Sequence, residues 1–364
     1  LRGCTARAPS PAAGLIVPGC TFLFPGDLDT PTGGYRYDRA LVHGLREAGW
    51  RVDTISLPGT YPWPTDEAVQ AAADAVAALP DGECVVADGL AFGALPGLAA
   101  DHAARLRWVA LVHHPLALET GLQPDLQTVL RDSESRALSH ARRVVVTSPT
   151  TARTLSAPGR QGWGVPPSRI QVIEPGVTPA PVATGSLAQG GVPQLLCVGS
   201  VSVRKGQAEL IEALAGLTDL PWRLVCAGSM TRDPEATQAV LAAIERHALA
   251  SRVRLTGVVD DTDLDALYAG ADLFVLPSWY EGYGMVYTEA LARGLPVVCT
   301  SGGASPETVP EAARLMVPPG DVRALREALQ RWLTGSRLRA KLAKGALQVR
   351  DRLPRWEQSV EQMA

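Results

Sequence analysis

The stretch Glu281-Gly-Tyr-Gly-Met-Val-Tyr-Thr-Glu289 says most about the fold and the chemistry of this chain. It follows the apolar run Leu273-Phe-Val-Leu276 and leads into Glu289-Ala-Leu-Ala-Arg293. That order predicts a strand, a glycine-containing loop and a helix. Because Gly282 and Gly284 leave the main chain bare, a ligand can approach the N–H groups at the start of the helix.

The two glutamates can accept hydrogen bonds from a polyol, while the amides and the helix dipole favour an anion. A nucleotide sugar combines these features, since it carries sugar hydroxyls, a diphosphate and a ribose. Taken alone, the fragment is equally consistent with a charged loop followed by a solvated helical glutamate. The rest of the chain has to decide between these two interpretations.

The size and composition of the chain set limits on its class. At 364 residues it exceeds the usual size of one domain, so two domains are expected. The chain has 34 basic and 37 acidic residues, so it carries no overall positive charge that would attract nucleic acid. We therefore expect no nucleic-acid partner. Cysteines mostly lie within apolar runs, with no CxxC or zinc-finger spacing, which predicts reduced thiols and a cytoplasmic protein.

No apolar stretch approaches the roughly 20 residues of a membrane span, although peripheral membrane contact stays open. Residues 1–19 are rich in Ala, Pro and Gly, and we expect them to be poorly ordered.

Short apolar runs alternate with helical patterns along most of the chain. Strands are predicted at Thr21–Phe24, Val52–Leu57, Cys84–Ala87, Trp108–Val112, Val144–Thr147, Gln194–Val198, Arg223–Ala227, Arg252–Leu255, Leu273–Leu276, Val297–Cys299 and Ala313–Met316. Such alternation indicates parallel sheets covered by helices. We therefore predict an α/β protein of two doubly wound, Rossmann-like domains facing across a cleft.

The expected domains are residues 1–180 and 181–350, joined near a linker rich in Pro and Gly at 174–193. Residues 351–364 are expected to form a helix that crosses back to the first domain. A helix that only caps the second domain is the alternative.

Arg204-Lys205-Gly206 follows the first strand of the second domain and opens a helix. Two cations beside free N–H groups suit a diphosphate, whereas an exposed basic pair is the plainer interpretation. The segment is not a P-loop, because the order G-x-x-x-x-G-K fails at Arg204.

In the first domain, Gly33-Gly34 lies between a strand and a helix, and His113-His114 ends a strand. Asp88 also follows a strand and could face the cleft, but the sequence does not assign it a role. Neighbouring histidines on a strand point to opposite faces, and no set of residues has metal-ligand spacing, so no metal is expected. The main chain around Val258 offers a weak candidate contact for a nucleobase.

Together these segments resemble the family 4 retaining glycosyltransferases of the GT-B fold. The resemblance covers nearly the whole chain and is strongest from Leu195 to Asp321, through Arg204-Lys205-Gly206, Glu281 to Glu289 and Pro306-Glu307. It implies that Arg204 and Lys205 hold the donor diphosphate, that Glu281 holds the sugar and that Glu289 holds the ribose.

The resemblance also assigns sets of residues. The implied catalytic residues are His113, Arg204, Lys205 and Glu281. The implied donor-binding residues are Gly33, Gly34, Arg204, Lys205, Val258, Gly284, Met285, Val286 and Glu289. In this family, protein cations and helix dipoles stabilise the leaving diphosphate, so neither a metal nor a cofactor is expected.

The chain departs from the family pattern in a few places. His114 stands where many relatives carry Asp, Tyr283 replaces a commoner Phe, and Met285 replaces a commoner Leu. The implied reaction is retaining transfer from a nucleotide-diphosphate sugar, either a UDP- or a GDP-sugar, to an acceptor hydroxyl. The acceptor class stays open among sugars, glycolipids and small molecules. The alternatives are a nucleotide-sugar 2-epimerase and a non-catalytic subunit that binds a nucleotide sugar.

Overall fold

The computed structural model describes residues 17–159 and 162–364. It contains two parallel sheets of six strands each, with flanking helices, which matches the predicted architecture. The expectation of a poorly ordered segment at 1–19 falls mainly on residues 1–16, which lie outside the described residues. The first strand begins at Gly19.

The N-terminal sheet has the strand order β2-β1-β3-β4-β5-β6. Its strands are β1 (Gly19–Pro25), β2 (Arg51–Leu57), β3 (Cys84–Asp88), β4 (Arg107–Val112), β5 (Arg143–Val146) and β6 (Ile170–Val172). The helices that accompany them are α1 (Gly33–Glu47), α2 (Asp66–Ala77), α3 (Gly89–Phe92), α4 (Pro96–His102), α5 (Pro124–Ser139) and α6 (Pro149–Ser156).

The C-terminal sheet has the order β12-β11-β10-β7-β8-β9. Its strands are β7 (Gln194–Val198), β8 (Arg223–Ala227), β9 (Val253–Leu255), β10 (Leu273–Leu276), β11 (Val297–Thr300) and β12 (Arg314–Val317). Its helices are α7 (Gln207–Ala215), α8 (Pro234–Arg246), α9 (Asp261–Ala269), α10 (Met285–Ala292), α11 (Ser305–Thr308), α12 (Val322–Thr334) and α13 (Ser336–Arg350).

The central strands are apolar throughout because helices cover the sheet. Every residue of β10 is fully buried, and the same holds for the apolar residues of β11. Side-chain caps mark the starts of several helices, as where Thr32 accepts a hydrogen bond from the N–H of Tyr35 at the start of α1. The cap at Thr32 thus places the start of α1 in the loop that follows β1.

Each sheet has a point where its strand order reverses. In the N-terminal sheet β1 lies next to β3, and in the C-terminal sheet β7 lies next to β10. The loops that leave such neighbouring strands run to opposite sides, which opens a crevice at the carboxyl ends of the strands. Both crevices line one cleft between the domains.

The chain passes between the domains twice. After α13 it returns to the N-terminal domain, where α14 (Trp356–Met363) packs against α1. The rings of Trp356 and Tyr37 lie 5.9 Å apart, and the Ser359 hydroxyl donates to the Glu174 carbonyl at 2.7 Å. No helix in the described part of the chain is long and apolar enough to cross a membrane.

Candidate active site

The cleft between the domains has a volume of about 1060 Å³ and is lined by loops from both sheets. Every residue named above as catalytic or donor-binding lines it: Gly33, Gly34, His113, Arg204, Lys205, Val258, Glu281, Gly284, Met285, Val286 and Glu289. Residues that the sequence places in distant segments therefore share one cavity.

The C-terminal side of the cleft centres on the buried carboxylate of Glu281. Its Oε1 lies 2.7 Å from Nζ of Lys205, accepts a hydrogen bond from the Ser278 hydroxyl at 2.6 Å, and lies 3.6 Å from Nη1 of Arg204. Burial alone would raise the pKa of Glu281, but the two cations overcome it and hold that pKa at about 2. The carboxylate is therefore ionised at neutral pH.

The two cations reach this carboxylate from a short 3₁₀ turn between β7 and α7. Burial lowers the pKa of Lys205, and the neighbouring Glu281 opposes that shift. Gly206 ends the turn with φ near +70°, and a Cβ there would come within 2.3 Å of the Pro277 carbonyl oxygen. Glycine thus lets the turn lie directly against the loop that carries Glu281.

Arg204 also joins the two domains. Its Nη1 donates to the Tyr280 carbonyl at 2.9 Å, and its Nε lies 3.2 Å from Oε1 of Glu119 in the N-terminal domain. The guanidinium is therefore held at the cleft surface by partners on both sides.

The loop Gly284-Met285-Val286 forms the start of α10, as the sequence predicted for a helix after the glycines. Gly284 has φ near +90°, a conformation that favours glycine. The sulfur of Met285 lies 4.0 Å from where a Cβ of Gly33 would stand, so the two glycine-rich segments face each other across the cleft.

Glu289 lies one turn into α10, with its side chain mostly buried. Its Oε2 accepts a hydrogen bond from the Tyr268 hydroxyl at 2.9 Å. Its Oε1 forms an ion pair at 2.9 Å with Nη1 of Arg36, which belongs to the N-terminal domain. The side chain that the family pattern assigns to the ribose therefore has a partner for each oxygen.

On the N-terminal side, His113 is joined to two carboxylates. Its Nε2 lies 2.9 Å from Oδ1 of Asp38 and 3.8 Å from Oδ2 of Asp88. Burial lowers the pKa of His113, but the negative charge and the hydrogen bond of Asp38 outweigh it and raise that pKa to about 9. Burial and the charge of Asp38 raise the pKa of the Asp88 carboxyl.

The sequence reasoning missed Asp38 and gave Asp88 no role. A signal for Asp38 was present, because it lies among the buried residues of α1 next to Tyr37 and Leu41, where a carboxylate needs a partner. One carboxylate oxygen each of Asp38 and Asp88 and a ring nitrogen of His113, atoms that could coordinate a metal ion, lie within 4.8 Å of one another. A hydrogen bond joins His113 to Asp38, and Asp88 lies 3.8 Å from the same ring nitrogen; the absence of a metal stays a prediction.

His114 turns away from this group. Its ring meets that of Tyr280 edge to face, with centroids 4.8 Å apart, at the contact between the domains. Burial, with Arg204 nearby, lowers the pKa of His114 to about 4, so the ring is neutral at physiological pH. The two adjacent histidines thus carry different charges.

Two family descriptions match this chain. Glycosyl transferases group 1 matches residues 185–349, and Glycosyltransferase Family 4 matches residues 83–180. A D-inositol 3-phosphate glycosyltransferase of Salinispora tropica is 30% identical over 71% of this chain and 59% of its own length. An O-antigen chain mannosyltransferase B of Escherichia coli is 35% identical over 36% of this chain and 34% of its own. The chain thus spans less than two thirds of the length of these relatives.

Solved structures share the architecture. Sucrose-phosphate synthase from Thermosynechococcus elongatus superposes with a TM-score of 0.77 at 22% identity, covering 94% of this chain and 97% of that one. Anabaena HepE in complex with UDP-glucose gives 0.73 at 18% identity, covering 94% and 98%. These likenesses confirm the predicted GT-B fold. Since the two family matches lie on the two domains in turn, this chain belongs to the family 4 glycosyltransferases, the glycosyl transferases group 1.

Proposed function

We propose that this protein transfers a sugar, with retention of anomeric configuration, from a UDP- or GDP-sugar to an acceptor hydroxyl, without a metal. The observation that carries the proposal is the contact of Lys205 and Arg204 with Glu281 at the strand reversal of the C-terminal sheet. Such a crevice is where ligands bind in doubly wound sheets.

The chemistry follows from charge. The leaving diphosphate gains negative charge as the bond between the anomeric carbon and the phosphate oxygen breaks. Lys205 and Arg204 can neutralise that charge from fixed positions. Glu281 holds Lys205 in place and can accept hydrogen bonds from sugar hydroxyls. The two glutamates of the donor side are each paired with protein cations, Glu281 with Lys205 and Glu289 with Arg36, which favours phosphate neutralisation by the protein itself.

The relatives support a nucleotide-sugar donor. One solved neighbour was obtained with UDP-glucose, and curated relatives are named for glycosyl transfer to inositol 3-phosphate and for mannosyl transfer. We propose that the present chain uses a donor of the same class, with a sugar, glycolipid or small-molecule acceptor. Cys197 and Cys226 are buried and form no disulfide, which favours a cytoplasmic location.

The test begins with thermal unfolding in the presence of UDP-, GDP- and ADP-sugars, because a bound donor raises the melting temperature by mass action. The stabilising donor is then incubated with an acceptor mixture, with EDTA in a parallel sample. We expect an α-donor to give an α-linked product, read from its anomeric coupling constant by NMR, in both samples.

Other outcomes identify the rival functions. A free epimerised sugar, formed with no acceptor, would identify a 2-epimerase. Binding with no turnover of any donor would favour a non-catalytic subunit. Activity lost in EDTA and restored by Mg²⁺ or Mn²⁺ would refute transfer without a metal.

A further inference from the structure

We propose that Asp38 is a positioning residue, which binds Nε2 of His113 and thereby makes Nδ1 of that ring a fixed hydrogen-bond donor toward the ligand in the cleft. The geometry behind this is the 2.9 Å contact between Nε2 and Oδ1 of Asp38, a side chain that is only 1% exposed. The inference rests on the proposed function for the identity of the ligand, which is the sugar or diphosphate of a donor.

The ring of His113 is held on several sides. Nε2 faces Asp38, the Tyr37 ring meets it edge to face with centroids 5.4 Å apart, and Cδ2 would lie 3.3 Å from a Cβ on Gly34. Gly34 therefore makes room for the imidazole as well as for a ligand. The ring has little freedom to rotate, so its orientation is set before any ligand binds.

Nδ1 is the nitrogen left for the cleft. Among the described residues, no group makes a hydrogen bond to it, and it is not one of the enclosed polar atoms that lack a partner. His113 itself lines the cleft, with its side chain 20% exposed. A ligand oxygen in the cleft can therefore reach Nδ1 without rearrangement of the ring.

Asp38 also decides the protonation state of that nitrogen. A carboxylate that accepts from Nε2–H keeps the proton on Nε2, and it stabilises the form with a second proton on Nδ1. The pKa of His113, raised to about 9, supports the doubly protonated ring at neutral pH. Nδ1 then donates to an oxygen, as a sugar hydroxyl or a phosphate requires.

The other groups around the ring are consistent with this state. Asp88 at the end of β3 is the second carboxyl that faces it, and Tyr37 on α1 is the nearby phenol. The Asp88 carboxyl accepts from the Leu90 N–H at 2.6 Å, which fixes it beside Asp38. From the C-terminal domain, the main chain of Gly282 packs against the His113 carbonyl.

The test is a pH titration of the ring nitrogens in protein labelled with ¹⁵N-histidine, with His113→Gln used to assign the signals. We expect both nitrogens of His113 to stay protonated to above pH 8. In Asp38→Asn, which can still accept from Nε2 but carries no charge, the midpoint should fall by about one to two pH units. Asp27→Asn, an exposed carboxylate of the same domain, is the matched control and should change nothing.

Three results would overturn the proposal. They are a wild-type midpoint near that of a free histidine, a midpoint unchanged in Asp38→Asn, and His113 signals that shift when EDTA is added, which would mean that a bound cation orders the group. The wild-type titration decides the matter even where the Asn variant folds poorly.

Kinetics then connect the ring to turnover. We expect the alkaline limb of kcat/KM to move down with the His113 midpoint in Asp38→Asn, with little change at pH 6. A purely structural role for Asp38 would lower the rate at every pH and leave the limb in place. If no sugar is transferred at all, the proposed function fails, while the ¹⁵N titration still tests the role of Asp38.

Discussion

Arg36 and Glu289 form an ion pair across the cleft, with Nη1 of the arginine 2.9 Å from Oε1 of the glutamate. Arg36 lies in the first turns of α1 and Glu289 lies in α10, so the pair joins the two domains. The same carboxylate is the one proposed to hold the ribose. Closure of the cleft and binding of the nucleotide therefore act on one side chain.

Arg36→Gln should shift the protein toward an open cleft, because the pair contributes only to the closed state. The pair is partly exposed, so its loss should cost on the order of 0.5–1 kcal/mol, a several-fold change in the ratio of open to closed molecules. Small-angle scattering should show a larger radius of gyration. Arg39→Gln, whose ion pair with Asp29 lies within one domain, is the control. Equal values for the wild type and Arg36→Gln would contradict a closing role.

Gly282→Ala should force the domains apart, since the new Cβ would lie 2.0 Å from the carbonyl oxygen of His113. We expect faster hydrogen exchange in the segments on both sides of this contact, at 113–118 and 280–284. Gly97→Ala is the matched control, because a Cβ there meets nothing within 4 Å. Exchange as slow as in the wild type would mean that the contact relaxes without opening.

Lys205→Met should destabilise the C-terminal domain strongly, because it leaves the buried Glu281 carboxylate without its nearest cation. Loss of one partner of a buried ion pair typically costs about 3–5 kcal/mol. The double variant with Glu281→Gln should recover part of that loss, as chemical denaturation can measure. The exposed pair of Arg323 and Glu327 offers a matched cycle, in which the coupling should be close to zero. Additive effects at Lys205 and Glu281 would show that the two are not coupled.

Glu134→Gln should flatten the dependence of stability on pH. Glu134 is fully buried, where its Oε2 accepts from the Leu116 N–H at 3.1 Å and from the Trp163 indole at 2.6 Å. Burial raises its pKa from 4.5 to about 8, against the effect of those hydrogen bonds. The carboxyl thus binds its proton more tightly in the folded state, and its stabilising effect is lost as pH rises from about 4.5 to about 8.

Urea unfolding at several pH values measures this effect. Between pH 5 and 7.5, the free energy of unfolding of the wild type should fall relative to Glu134→Gln by up to about 1.4 kcal/mol per pH unit. Glu47→Gln, at an exposed position, should run parallel to the wild type. Parallel curves for Glu134→Gln would mean that this carboxyl is ionised in the folded protein.

The predicted strands agree closely with the observed ones, because buried parallel strands consist of short runs of apolar residues that can be recognised in the sequence. The prediction Val52–Leu57 became Arg51–Leu57, and Leu273–Leu276 is unchanged. The strand Ile170–Val172 was missed, since it has three residues at the edge of the sheet and none is fully buried. The short helices Gly89–Phe92 and Pro96–His102 were also missed, because neither is long enough to show a helical period.

The site residues were predictable where a motif follows a strand, as with Lys205 and Glu281. Two loops that leave neighbouring strands at a reversal must meet, so their contact follows from the strand order. The neighbours of Asp38 in α1 signalled that it is buried, but its pairing with His113 and the pairing of Arg36 with Glu289 were not predictable. The first depends on which strand end lies beside the buried face of α1, and the second depends on how the two domains are placed relative to each other. Neither is encoded in the periodicity of the sequence.

The return of α14 to the N-terminal domain has a consequence for how the protein is made. Trp356, Val360 and Met363 cover part of the core that also contains Tyr37 and Leu41. During translation α1 leaves the ribosome long before α14 does. The part of the first-domain core that α14 covers therefore stays exposed while the second domain is synthesised and folds. Completion of the first domain therefore waits for residues 356–363, and a chain released before them would carry a finished second domain beside an unfinished first one.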